Sequence, residues 1–108
     1  MDERTFNALA DATLDQLEAV VEHCGAEIDV DVKPGGILEF EFRDGSKAVI
    51  NRHTAAREIW LAARSGGFHF RPDGAHWISA RDGEELFRAV SRVISEQAGC
   101  CVTLAPPT

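Results

Sequence analysis

Cysteine is scarce in this sequence, and the few cysteines present form no structural pattern. The three are Cys24, Cys100 and Cys101. An odd count with two adjacent members does not describe a disulfide framework, and no Cys-x-x-Cys pair predicts structural zinc. We therefore expect the protein to work in a reducing compartment.

Long apolar segments are also absent. No apolar run approaches the roughly 18 residues that a membrane-spanning helix needs. The first residues, MDERTFNALAD, are acidic and lack the apolar stretch of a signal peptide. We expect a cytoplasmic protein with no membrane partner.

The sequence has no recognisable catalytic motif. It contains neither glycine-rich pattern used to hold phosphates, and no local arrangement supplies a nucleophile, a base and an orienting group. The four histidines are scattered, with no His-x-x-x-His pair: His23, His53, His69 and His76. We expect a protein that is not an enzyme.

Basic residues are nearly absent from the first third of the chain. Residues 1–32 hold nine acids and one base, whereas the other 76 residues hold nine acids and ten bases. The net charge of -7 over 108 residues therefore comes from the N-terminal third. Such a surface repels nucleic acid and anionic membranes, and attracts cations and basic protein surfaces.

The first predicted element is an amphipathic helix over residues 3–24. Its apolar residues recur with helical spacing and form one face: Phe6, Leu9, Ala10, Leu14, Leu17, Val20, Val21 and Cys24. At about 100° per residue, four acids fall within a sector of about 60° on one flank of this helix: Asp11, Asp15, Glu18 and Glu22. Gly25 ends the helix.

Alternating segments then predict strands joined by tight turns. Residues 26–32 place Glu27, Asp29 and Asp31 on one face and apolar residues on the other. The later predicted strands cover residues 37–42, 47–53, 58–63, 68–70 and 76–79, with glycine-containing turns between them.

A second helix is predicted over residues 83–98, capped by Asp82 with Glu85 completing a capping box. Residues 100–108 form a tail whose Val102 and Leu104 are expected to cover an edge of the core. The predicted fold is a single α+β domain over residues 1–108. In this two-layer sandwich the N- and C-terminal helices pack on one face of a five- or six-stranded antiparallel sheet.

Seven carboxylates of the helix and the first strand are predicted to form one surface, here called the acidic ridge: Asp11, Asp15, Glu18, Glu22, Glu27, Asp29 and Asp31. Like charges at helical contact spacing repel each other, by roughly 0.2–0.5 kcal/mol per pair. Clustered carboxylate oxygens suit Mg²⁺, Ca²⁺, Mn²⁺ and iron better than zinc or copper. The alternative is a solvated face that serves solubility alone.

A second candidate site combines Asn51, Arg52 and Trp60. Alternation places Ile59 and Leu61 in the core, which sends Trp60 to the open face of the sheet near Asn51. An exposed tryptophan beside polar groups is typical of a protein-docking anchor. The alternative is a tryptophan covered by the loop that follows the third strand.

These residues carry a family resemblance. Residues 35–70 read GGILEFEFRDGSKAVINRHTAAREIWLAARSGGFHF, and they include Ile-Asn-Arg, Ile-Trp-Leu-Ala and Gly-Gly-aromatic-His-Phe in that order. FNALAD at 6–11 and WIS at 77–79 extend the likeness over nearly the whole chain. The sequence resembles the frataxin family, and its bacterial members most. It departs from the family pattern at His53 and Glu58, where the family usually has glutamine.

The resemblance implies an iron-binding regulator of iron–sulfur cluster assembly that docks on the cysteine desulfurase and the cluster scaffold. It implies iron contacts, for Fe²⁺ and Fe³⁺, at Asp11, Glu18, Glu22, Glu27, Asp29 and Asp31; Asp15 joins them through its helical position alone. It implies a partner surface that includes Glu18, Glu22, Asn51, Arg52 and Trp60. A ferroxidase-like iron chaperone and a metal-free acidic interaction module are the alternatives. We expect a monomer, with iron-induced oligomers as the other state to test.

Overall fold

A computed structural model describes residues 1–105. Along the chain, one helix precedes and one helix follows a run of six strands, and a 3-10 turn (Thr54–Ala56) precedes the fourth strand. The elements are α1 (Glu3–Glu22), β1 (Ile28–Lys33), β2 (Ile37–Phe42), β3 (Lys47–His53), β4 (Glu58–Ala63), β5 (Gly66–Asp73), β6 (His76–Ser79) and α2 (Leu86–Ala98). The strands pair in chain order and every pairing is antiparallel. The predicted α+β sandwich is confirmed, with six strands.

Local turn chemistry fixes the strand register. Between β2 and β3, Gly45 has a φ of 84° and the Asp44 side chain accepts hydrogen bonds from the backbone and the hydroxyl of Ser46. β2, β3, β4 and β6 have the predicted bounds. β5 is longer than predicted at both ends. Gly66 and Gly67 pair with the end of β4 instead of interrupting the sheet, and residues 71–73 pair with β6.

Helix α1 packs its apolar face on the sheet. Its N-terminus is capped by Asp2, whose carboxylate accepts a hydrogen bond from the Thr5 backbone at 2.8 Å. The buried apolar residues are Phe6, Ala10, Leu14, Leu17 and Val21. The helix ends at Glu22, two residues before the predicted end, and Gly25 follows with a φ of 88°.

Helix α2 starts later than predicted, and its predicted cap is wrong. Asp82 accepts a hydrogen bond from the Glu84 backbone in the preceding turn. Glu85 is the N-cap, and its carboxylate accepts from the backbones of Phe87 and Arg88. Glu85 is extended because it forms an isolated bridge with Ile78 of β6, so helical geometry begins at Leu86.

The core lies between the two helices and the inner face of the sheet. Phe6, Phe40 and Phe70 are fully buried, and the Trp77 indole donates a hydrogen bond to the Thr13 hydroxyl at 2.8 Å. Val102 and Leu104 of the tail are buried, as predicted. Residues 106–108 of the predicted tail lie outside the described residues. Within residues 1–105, neither helix combines the length and apolar content of a bilayer-spanning segment.

Candidate functional site

The helical half of the acidic ridge lies on the flank of α1 that faces the β1–β2 turn. Asp15 and Glu22 are exposed, whereas Asp11 and Glu18 are half-buried. Asp11, Asp15 and Glu18 line a cleft of about 390 Å³ between the helix and that turn. Three of the four acids in the stripe predicted from helical spacing therefore form one wall of a concave surface.

The strand half of the ridge lies at the edge of the sheet. β1 is an edge strand, and α1 packs against it. Asp29 and Asp31 point to the open face, opposite Glu41 and Glu39 of β2. Glu27, just before β1, is exposed. The seven ridge carboxylates thus form two rows, one along α1 and one along β1.

An arginine pairs with the first carboxylate of each row. The Arg52 guanidinium donates a hydrogen bond to Asp11, and Arg43 Nε lies 3.3 Å from Glu27 Oε2. The other five ridge carboxylates have no ion-pair partner among residues 1–105: Asp15, Glu18, Glu22, Asp29 and Asp31. The uncompensated negative charge of the ridge is therefore carried by three carboxylates on α1 and two on β1.

The ridge does not form a closed metal cage. In the part of the chain that the structure describes, no three His, Cys, Asp or Glu side chains converge as a metal-binding group. Its carboxylates are a distributed set of oxygen ligands open to water. Such a surface can bind hard cations through few protein ligands at a time, which gives weak and multi-site binding.

The structure separates the three residues of the second candidate site. Asn51 and Trp60 are direct cross-strand neighbours on the open face of the sheet. Arg52, one position along β3, points to the helix side and pairs with Asp11. Asn51 and Trp60 therefore lie together on the open face, whereas Arg52 lies on the helix side, next to Asp11 of the acidic ridge.

Trp60 is half-buried because two imidazoles stack on it. The ring of His53 lies 3.9 Å from the indole at an interplanar angle of 6°, and that of His69 lies 4.6 Å away at 10°. Period-two alternation and the strand register place His53, Trp60 and His69 on one face. Sequence reasoning missed this stack because it treated each histidine separately.

Glu58 holds the Trp60 indole through a hydrogen bond. Its carboxylate accepts hydrogen bonds from Trp60 Nε1 and Arg71 Nε, each at 2.9 Å. Burial acts to raise the pKa of Glu58, but the hydrogen bonds from Trp60 and Arg71 outweigh it, so this pKa lies below its ordinary value of 4.5. A buried, ionised Glu58 thus holds the indole in one orientation.

Comparison with known proteins shows which family this chain belongs to. Residues 1–100 match the family model described as Frataxin-like domain. The chain belongs to the frataxin family. The resemblance seen in residues 35–70 is therefore confirmed over nearly the whole chain.

The frataxin relatives include bacterial proteins of similar length. The chain is 51% identical over 104 residues to the iron-sulfur cluster assembly protein CyaY of Dechloromonas aromatica, a match that covers 96% of this chain and 99% of that protein. It is 47% identical over 107 residues to the protein of the same name from Ralstonia nicotianae, covering 96% and 95% of the two chains.

Solved frataxin structures share the fold. The frataxin of Psychromonas ingrahamii superimposes with a TM-score of 0.87 at 31% identity, covering 95% of this chain and 97% of that one. The trimeric frataxin of the yeast Saccharomyces cerevisiae, complexed with ferrous iron, gives a TM-score of 0.65 at 27% identity, covering 92% and 88%.

Proposed function

We propose that this frataxin-family protein binds iron as cargo on its acidic ridge and regulates iron–sulfur cluster assembly by docking on the cysteine desulfurase. The observation that carries the proposal is the set of five ridge carboxylates, three on α1 and two on β1, that have no ion-pair partner in residues 1–105. The names of the bacterial relatives support a role in iron–sulfur cluster assembly, and the ferrous complex of the yeast protein supports iron binding.

Iron binding follows from the charge of the ridge. Asp15, Glu18 and Glu22 follow each other at three- and four-residue spacing on one flank of α1, so their carboxylates repel. A bound cation relieves this repulsion and accepts hard oxygen ligands, which suit Fe²⁺ and Fe³⁺. Because the ligands are open to water, we expect binding to be weak and reversible.

We expect docking to combine long-range electrostatic attraction with a short-range aromatic contact. The acidic ridge steers the protein to a basic surface of the desulfurase, which raises the association rate at low salt. Trp60, held by Glu58 and flanked by Asn51, offers a rigid aromatic contact on the open face of the sheet. Iron on the ridge lowers the charge available for docking, and this couples iron supply to cluster assembly.

The test replaces ridge carboxylates by amides and measures desulfurase binding. The ridge variant carries Glu18→Gln, Glu22→Gln, Asp29→Asn and Asp31→Asn. The control variant makes the same change of charge elsewhere, with Glu3→Gln, Asp73→Asn, Asp82→Asn and Glu96→Gln. We expect the ridge variant to lose most of its affinity for iron and desulfurase, and the control to bind both nearly as the native protein does.

Salt dependence provides the second readout. Affinity of the native protein for the desulfurase should fall as ionic strength rises, and that dependence should flatten in the ridge variant. Equal binding by the ridge and control variants would reject the proposal. The ferroxidase alternative is tested separately, because oxidation of ferrous iron with turnover above a buffer blank would favour it.

A further inference from the structure

Val32 is an apolar side chain that the core does not cover. It belongs to the inner row of β1 and lies opposite Leu38, which is 2% exposed. Val32 itself is 57% exposed. Alternation along β1 predicts burial for Val32, so the helix layer stops short of this end of the edge strand.

Val32 forms part of the floor of the cleft that the acidic ridge borders. The cleft holds about 390 Å³, and its apolar lining consists of Leu14, Val32, Ile37 and Leu38. Asp15 and Glu18 stand on the α1 wall. The cleft is thus an apolar depression beside the α1 row of the acidic ridge.

The charges around the cleft leave a negative wall. Arg52 is paired with Asp11, and Lys33 Nζ donates to Glu39 at 3.0 Å. Asp15 and Glu18 keep no ion-pair partner within residues 1–105. An occupant that matches both properties has an apolar side chain for the floor and a positive charge for the wall.

We propose that the cleft receives an apolar side chain from an exposed basic segment of the partner protein. This inference rests on the proposed docking on the cysteine desulfurase and names a contact within it. The cleft is continuous with the unpaired carboxylates that steer docking, so a basic segment drawn to Asp15 and Glu18 arrives over Val32. Burial of Val32 then adds a short-range, apolar term that salt does not screen.

Val32→Ser tests this contact, with Val32→Ile as the matched control. Because position 32 is exposed, both variants should keep the unfolding midpoint of the native protein. We expect Val32→Ser to weaken desulfurase binding roughly tenfold at every salt concentration, with an unchanged salt dependence. Val32→Ile should bind as tightly as the native protein, and iron affinity should be the same for all three.

The outcomes separate this inference from the proposed function. If Val32→Ser binds the desulfurase as the native protein does while the ridge variant fails to bind, the cleft contact is wrong and ridge docking stands. If neither change affects binding, the docking proposal falls as well. If Val32→Ser alters self-association in sedimentation but not desulfurase binding, the occupant is a second copy of this chain and the inference is overturned.

Discussion

Gly36 lies directly beneath the side chain of Arg52, so that a Cβ atom at position 36 would come within 2.6 Å of Arg52 Cγ. The Arg52 backbone also donates a hydrogen bond to the Gly36 carbonyl at 2.9 Å. Only glycine leaves room for the guanidinium to cross the β1–β2 turn and reach Asp11. Gly36 therefore provides the space in which the Arg52 side chain lies as it reaches Asp11.

Gly36→Ala should destabilise the protein more than Gly35→Ala. Both glycines have positive φ, 77° and 89°, so each alanine costs roughly 1–2 kcal/mol of backbone strain. Only position 36 adds a steric clash, since nothing lies within 4 Å of a Cβ at position 35. We expect a further loss of about 1–3 kcal/mol for Gly36→Ala in urea unfolding. Equal losses for the two variants would show that Arg52 does not need the space.

The ridge carboxylates should differ in their effect on stability. Asp15→Asn removes repulsion from Glu18 and should raise the free energy of unfolding by about 0.2–0.5 kcal/mol. Asp11→Asn removes the partner of the half-buried Arg52 and should lower that free energy or leave it unchanged.

Chemical denaturation at low and high salt checks this contrast. The gain from Asp15→Asn should shrink as salt screens the repulsion. If both substitutions stabilise to the same extent, Arg52 does not neutralise Asp11 in solution.

Glu58 should make stability depend on pH in the acid range. Because its pKa is lower in the folded protein than its ordinary value of 4.5, the unfolded chain binds the proton first as pH falls. The contribution of Glu58 is therefore complete above about pH 5 and is lost as pH falls through the folded pKa. Glu58→Gln should flatten this part of the stability profile.

The same substitution should cost stability at neutral pH. Glutamine leaves Arg71 without a carboxylate partner and disturbs the hydrogen bond from Trp60, a loss of about 1–3 kcal/mol. Urea unfolding at a series of pH values measures both effects. An unchanged slope below pH 5 in Glu58→Gln would refute the assignment of this pH dependence to Glu58.

Local signals were sufficient to predict most of the fold. The bounds of β2, β3, β4 and β6 follow from alternation and from turns such as Asp44-Gly45, whose chemistry is contained in a few neighbouring residues. The flank of α1 that carries the acids also follows from helical spacing. Both are properties of consecutive residues.

Features that depend on distant residues were not predictable in this way. The start of α2 depends on the bridge between Glu85 and Ile78. The neutralisation of Asp11 depends on Arg52, which is 41 positions away along the chain. The exposure of Val32 depends on how far the helix layer extends over β1. Each of these is set by tertiary packing, which alternation and spacing do not encode.

The central claim is that iron binds the five ridge carboxylates that have no ion-pair partner within residues 1–105. An anaerobic titration with ferrous iron, followed through backbone amide NMR signals, tests it most directly. We predict that paramagnetic broadening is strongest around Asp15, Glu18 and Glu22 on α1 and around Asp29 and Asp31 on β1. It should be weaker around Asp11 and Glu27, which pair with arginines. Uniform broadening, or broadening centred on the His53–Trp60–His69 face, would contradict this account.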